Sequence, residues 1–290
     1  MKSNLNLVLC MILIGTNAFA QKPDKVLARV NYTYTSKTDT LKTGKARTEN
    51  MILFIGKNAS LYSSRNKIAY ELSEDQKNLA RAIARSSTGG GAPSIIQIDR
   101  SAGDWLTRTN YLFFNKEKKM MVKEEILGTS YLIEEKTPEI NWKITKDTAT
   151  FSGIACQKAT TNYEGQNWTA SFAPDLPFQA GPWKLQGLPG LIIDAFNETK
   201  IVQFQFAGFE KASDGDFVRA NDIRKRPNAE PGDINTVDVN MGLDVANAYF
   251  ENIIQLSTYR TARTTRQEYE KLKAAYDKDP RGFRKAQYGY

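Results

Sequence analysis

Histidine is absent from all 290 residues. Its absence removes Ser-His-Asp and Cys-His machinery, histidine-ligated zinc and the commonest general base. Cysteine is nearly absent: Cys10 and Cys156 are the only two. Cys10 lies in an apolar N-terminal stretch that reads as a cleaved leader, so one thiol remains and no intramolecular disulfide can form. An exported chain without disulfides is held together by packing alone. Long hydrophobic runs are missing too. The best of them, Leu5 to Gly15 interrupted by Asn6, falls short of the ~20 residues that span a bilayer.

What is present at the start has the three parts of a secretory signal. Lys2 gives the positive charge, the apolar stretch comes next, and Ala18-Phe19-Ala20 gives a small-x-small cleavage pattern. Residues 1–20 are therefore expected to be a signal peptide, and 21–290 one domain, exported to the periplasm or the outer-membrane periphery, or secreted. Cys10 follows Leu9 inside the apolar run and is no lipoprotein cysteine. Removing Lys2 with the leader lowers the net charge from +8 to +7. Much of the excess sits at the end: Arg260–Tyr290 carries nine Lys or Arg against four acids. Export argues against nucleic acid as the partner of this tail. A solvated face, an anionic membrane surface or an acidic partner are the remaining readings.

The body reads as antiparallel β. β-branched and aromatic residues alternate at Val30–Thr35, and Met51–Ile55 precedes a Gly56-Lys57-Asn58 turn with a return at Ser60–Ser63. Further strands are expected at Asn110–Asn115, Met120–Glu125, Ser130–Glu135, Asn141–Thr145, Ile154–Tyr163, Trp168–Ala173, Leu191–Glu198 and Val202–Phe209. Links such as Glu164-Gly165-Gln166 have hairpin character, and short links require antiparallel neighbours. Helical spacing occurs around Leu72–Ala84, over Val245–Tyr259 and over Arg266–Tyr276 ahead of Pro280. The expected fold is mainly β with peripheral helices: a strongly curved antiparallel sheet or partly open barrel, with a two-sheet sandwich as the alternative and a helical C-terminal part at about 243–278. Gly89-Gly90-Gly91 lacks the Lys-Ser/Thr ending of a phosphate loop. No cofactor is implied.

Gly187-Leu188-Pro189-Gly190-Leu191-Ile192 is the most informative segment. Pro189 fixes φ for the second position of a turn, and a type II turn would ask Gly190 for positive φ. Leu188, preceding proline, is pushed to an extended conformation. The segment reads as a rigid corner that plugs the core, or as a loop that touches a ligand. From Trp142 to Glu198 the chain resembles the GLPGLI family of exported proteins from Bacteroidetes-type bacteria, named for this hexapeptide. Gly153–Thr160 is similar to the family's Cys-x-Lys-Ala strand, Trp168–Pro177 to its aromatic strand ending in an acidic-Ile-Pro turn, and Gly181–Gln186 to its lead into the hexapeptide. Ser171 stands where an aromatic residue is common, and Leu176 replaces isoleucine. The resemblance implies an exported, β-rich protein of unsettled molecular role.

Candidate site residues emerge from the oddities of this segment. Cys156 and Lys158 share one strand face, where a lysine can activate a thiol; a buried, inert cysteine is the alternative. Asp194 interrupts the apolar run Leu191–Phe196, where a charge is costly unless paired. An ion pair between Asp194 and Lys158 across neighbouring strands is expected. Trp142, Trp168, Phe172, Phe178 and Trp183 either line a pocket for a lipid, peptide or sugar or fill the core. Three functional classes stay open: a non-enzymatic envelope accessory protein that binds a partner, for instance an outer-membrane transporter; a carrier of an apolar ligand in a concave sheet; and an enzyme working through carboxylates or Lys158.

Overall fold

Strand-forming residues with alternating burial settle into paired strands wherever a tight turn lets the chain double back. The computed structural model describes residues 24–37, 46–68, 107–127, 129–211, 253–254 and 261–288. Within them, β1 is Asp24–Lys25, β2 Ala28–Ser36, β3 Arg47–Ile55, β4 Ala59–Ser64, β5 Asn110–Phe114, β6 Lys119–Ile126 and β7 Thr129–Lys136. The chain continues with β8 Lys143–Phe151, β9 Ile154–Tyr163, β10 Gln166–Ala173, β11 Leu191–Asn197, β12 Val202–Lys211, β13 Ile253–Ile254 and β14 Thr261–Thr264. It ends in two helices, α1 Arg266–Lys278 and α2 Pro280–Tyr288. The protein is mainly β. The expected leader, the helical pattern at Leu72–Ala84 and the glycine-rich stretch lie outside the described residues.

Twelve strands form one sheet in the order β14-β7-β6-β5-β4-β3-β2-β12-β11-β10-β9-β8. All neighbours are antiparallel except β14 and β7, which run parallel. Two meanders, β2–β7 and β8–β12, are thus joined side by side through the β2–β12 pair. This order forces curvature. The link 137–142 carries the chain from β7 to β8, ten strand spacings apart in the sheet. Laid flat, those spacings would measure about 48 Å, whereas seven chain steps reach at most about 25 Å. The sheet must curl until its two ends approach each other. It is not closed into a barrel, because β14 and β8 are both free edges of the ladder, and a two-sheet sandwich is excluded by the continuous pairing.

Turn chemistry matches the hairpins. Ser152-Gly153 and Glu164-Gly165 have positive φ at both residues (48° and 82°, 50° and 73°), as a two-residue type I′ connection requires. Alternation then sorts side chains between the two faces. Met51, Leu53 and Ile55 of β3 join Val30, Tyr32, Trp168, Phe172 and Phe204 in the largest apolar cluster. Their neighbours Ile52 and Phe54 join Leu61, Leu112 and Leu132 on the opposite face. A third cluster, of Phe113, Val122, Tyr131 and Ile133, takes in Tyr269 of α1.

The C-terminal part differs from the sequence expectation. Ile253–Ile254, inside the expected Val245–Tyr259 helix, forms a two-residue strand paired with β1, and β14 adds a second stretch of strand within 243–278. The apolar spacing there fits a helix face, but the strand pairing is supplied by residues more than two hundred positions earlier. Pro280 does not merely end α1. It occupies the first position of α2, where a missing N–H costs nothing. β8 is also longer than the expected Asn141–Thr145 and is interrupted by an irregularity between Ile144 and Thr148.

Candidate functional site

Residues 174–190, between β10 and β11, fold back over the sheet and become part of its core. Ala180, Leu185 and Leu188 are buried within the largest cluster. The path is a series of tight reversals: Phe178 N–H donates to Leu176 O (2.7 Å), Ala180 N–H to Phe178 O (2.8 Å) and Gly190 N–H to Leu188 O (2.8 Å). Each spans three residues, which is the γ-turn pattern. The corner at Pro189 is therefore not the expected type II β-turn, and Gly190 does not have positive φ. Its glycine is required for a different reason: a Cβ there would overlap the carbonyl oxygen of Ala173. Positive φ belongs to Gly187 (+91°). Leu191 N–H and Ile192 N–H then bond to Leu176 O and Ala180 O, both at 3.0 Å, and the buried Tyr32 hydroxyl donates to Ile192 O at 2.6 Å. The start of β11 is thus held by the loop and by β2, while β12 pairs with it only at Ala195 and Phe196.

The loop presents Trp183. Its backbone is left-handed (φ 55°), a conformation costing a bulky residue about 1–2 kcal/mol. The indole packs against Trp168 (ring centroids 5.5 Å), Tyr163 (5.8 Å) and Phe204 (6.5 Å). Three such contacts contribute about 0.5–1.5 kcal/mol each and outweigh the backbone cost. Small residues make room for it: Ala159, Ala170 and Ala195 are paired across β9, β10 and β11 and are fully buried. Trp183 Nε1–H donates to the Tyr111 hydroxyl at 3.2 Å, so one side chain bridges β5 and the end of β9, seven spacings apart in the ladder. Trp142, from the link 137–142, donates its Nε1–H to Gln186 O (2.8 Å) and clamps the loop from the other side.

Charges rim this aromatic group. Lys184 pairs with Glu164 (2.8 Å) and lies 5.5 Å over the Trp183 ring. Tyr111 is pushed up to about 12 by burial, with Glu124 and Glu164 adding to the rise. Burial and the neighbouring Glu164 also push Tyr163 up. Both phenols stay protonated at neutral pH, and the Tyr111 hydroxyl is the acceptor of the Trp183 Nε1–H. Farther along, Arg266 holds Glu124 and Glu135 at 2.7 Å and Glu270 at 3.2 Å. Burial works against its charge, yet the hydrogen bonds it donates to Glu124 and Glu135 leave its pKa raised.

The residues singled out from the sequence separate into two groups. Trp168, 3% exposed, and the half-buried Trp183 come together, with Gly187, Leu188, Pro189 and Gly190 shaping the loop beneath. Lys158, Ser171 and Asp194 stand in one cross-strand row, and alternation turns that row to the face opposite Trp168. The expected Lys158–Asp194 ion pair does not form. Ser171 lies between them, two strand spacings measure about 10 Å, and burial alone accounts for the rise of Asp194 to about 6. Cys156 is not an activated thiol either. It is 4% exposed, its Sγ–H points to Ile154 O at 3.6 Å, and burial together with the Asp194 charge pushes it up to about 11. Among the described residues no group of three or more Cys, Asp or Glu is placed to hold a metal ion.

Sequence reasoning missed Tyr111, Tyr163, Glu164, Lys184 and Arg266. Their partners lie far away in sequence and are brought in by the curl of the sheet, by the loop 174–190 and by the docking of α1, and no local pattern announces them.

No family model and no curated protein sequence matches the chain. Solved structures do. PNGF-II in a P21 crystal form is similar over 85% of this chain with a TM-score of 0.50 and 11% identity, and its C2 form over 84% with a TM-score of 0.49 and 11% identity. The chain spans about a third of the PNGF-II chain, 33% and 32% in the two forms. At this identity the likeness is one of β-rich fold.

Proposed function

We propose that the chain is an exported envelope protein that works by binding a partner protein rather than by turnover, an accessory protein of the GLPGLI kind, with an outer-membrane transporter as one such partner. The observation that carries this reading is Trp183. A bulky residue is held at positive φ, partly buried against the core, among other aromatic rings and rimmed by the Lys184–Glu164 pair. Aromatic anchors surrounded by polar rims are what protein interfaces use. The chemistry available to the other candidates supports the same side: the Cys156 thiol is held in its protonated form, and Glu124 and Glu135 are tied to Arg266. Burial of Leu185 and Leu188 in the space over the sheet counts against carriage of an apolar ligand there.

The test is a pull-down from envelope extracts with the wild-type chain and with Lys184→Glu, which reverses the rim charge and removes the cation over Trp183 while leaving every aromatic residue in place. A partner recovered by the wild type and lost with the variant, at unchanged thermal stability, is the expected result. Recovery of no partner alongside a turnover signal on envelope substrates would reverse the reading.

A further inference from the structure

Helix α2 carries a surface of its own. Arg281, Arg284 and Lys285 stand at positions i, i+3 and i+4, which places the three cations on one helix face within about 6 Å of axial rise. Phe283 lies on the opposite side. It packs edge-to-face on Tyr276 of α1 (5.8 Å) and against the cluster of Phe113, Val122 and Tyr269. The apolar side of α2 is thereby used up inside the molecule, and its charged side points outward: Arg281, Arg284 and Lys285 are all exposed. Lys278, also exposed, adds a fourth cation in the last turn of α1. None of the four makes an ion pair among the described residues. The acids nearest in sequence are engaged elsewhere: Asp277 pairs with Lys273 (2.7 Å) and Asp279 accepts the Gly282 N–H (2.9 Å). The platform is anchored as well. A capping box of Thr265 and Glu268 starts α1, and Arg266 ties that first turn to Glu124 and Glu135.

We propose that the outward face of α2 docks onto an anionic phospholipid surface. A protein partner would ask for a desolvated aromatic or apolar centre, and here the aromatic residue Phe283 is turned inward. Among the described side chains, what remains outside is an array of fixed positive charges with no apolar anchor, suited to a dense field of lipid phosphates read by Coulomb attraction. This goes beyond the partner-binding reading and does not rest on it, since no residue of the Trp183 surface takes part.

Sedimentation of the full chain with phosphatidylglycerol vesicles, and with phosphatidylcholine vesicles as control, tests it. Binding to the anionic vesicles at low salt, abolished at high salt by screening, is expected. The variant Arg281→Ala/Arg284→Ala/Lys285→Ala should bind roughly a hundredfold more weakly, about fivefold for each cation removed, with the wild-type circular dichroism spectrum. Equal binding to neutral vesicles, or undiminished binding by the triple variant, would overturn the proposal. So would saturable capture of a glutamate-rich peptide without vesicle binding, which would put an acidic protein in place of the membrane.

Discussion

Asp194 is a carboxyl group placed where its charge is not wanted. It is half-buried, has no ion pair or side-chain hydrogen bond among the described residues, and burial raises it from 3.8 to about 6. Because the folded value lies above the unfolded one, the folded state holds the proton more tightly, and ionisation works against folding. The penalty is absent below about pH 4, grows as pH rises through the window to about 6, and is complete above it. Two units amount to about 3 kcal/mol; partial exposure to solvent reduces that to about 1–2 kcal/mol. Asp194→Asn should therefore stabilise the protein by that amount at neutral pH and leave it unchanged in acid. Urea unfolding of both chains across this range checks it, and a variant no more stable at neutral pH would show that the carboxylate has a partner in solution. The anomaly itself was legible in the sequence, as a charge inside an apolar run. Its isolation from Lys158 was not, because strand register decides that distance, and Ser171 occupies the strand between.

At the scale of elements, the strands were readable wherever a two-residue turn closed them: Glu164-Gly165 delivers β9 to β10 as its chemistry demands. The loop 174–190 was readable as a plug but not in its geometry. Pro189-Gly190 satisfies the composition of a type II turn equally well, and what excludes that turn is the approach of Gly190 to the backbone of Ala173 and Pro174, which only the folded chain contains. The two glycines flanking Leu188 and Pro189 therefore have different tasks, with different consequences. Gly190→Ala drives a Cβ into backbone atoms on β10 and its exit, where nothing flexible can yield, and should cost about 1–3 kcal/mol or more. Gly187→Ala meets no atom within 4 Å and suffers only its φ of +91°, about 1–2 kcal/mol. Thermal melts should rank Gly190→Ala as the more damaging. The reverse order would return positive φ to Gly190 and restore the type II turn.

The whole molecule depends on how a curled sheet manages its two free ends. β8 has a built-in irregularity, in which the Gln157 side-chain amide donates to Thr145 O at 2.9 Å, and such interruptions discourage pairing with a second chain. At the other end, β7 is covered by β14, a parallel strand delivered from the C-terminal part. This cover was invisible in the sequence: Thr261–Thr264 is short and carries no alternation of its own, and its place is set by the docking of α1 immediately after it. Tyr269 packs edge-to-face on Tyr131 of β7 (5.6 Å), and Arg266 gathers Glu124, Glu135 and Glu270 around one guanidinium. Arg266→Ala would leave three carboxylates facing one another over β6 and β7 with no cation between them, a loss of about 2 kcal/mol after allowance for solvent. That loss falls on the docked unit rather than on the central strands, whose ladder does not involve it. Hydrogen exchange should accordingly quicken over 261–278 and stay slow over β2, β3 and β12. With β7 uncovered, light scattering should show association that grows with protein concentration. Unchanged protection of Thr261–Thr264 in the variant would mean that the parallel strand holds its place without the arginine, and that Tyr269 alone secures the edge.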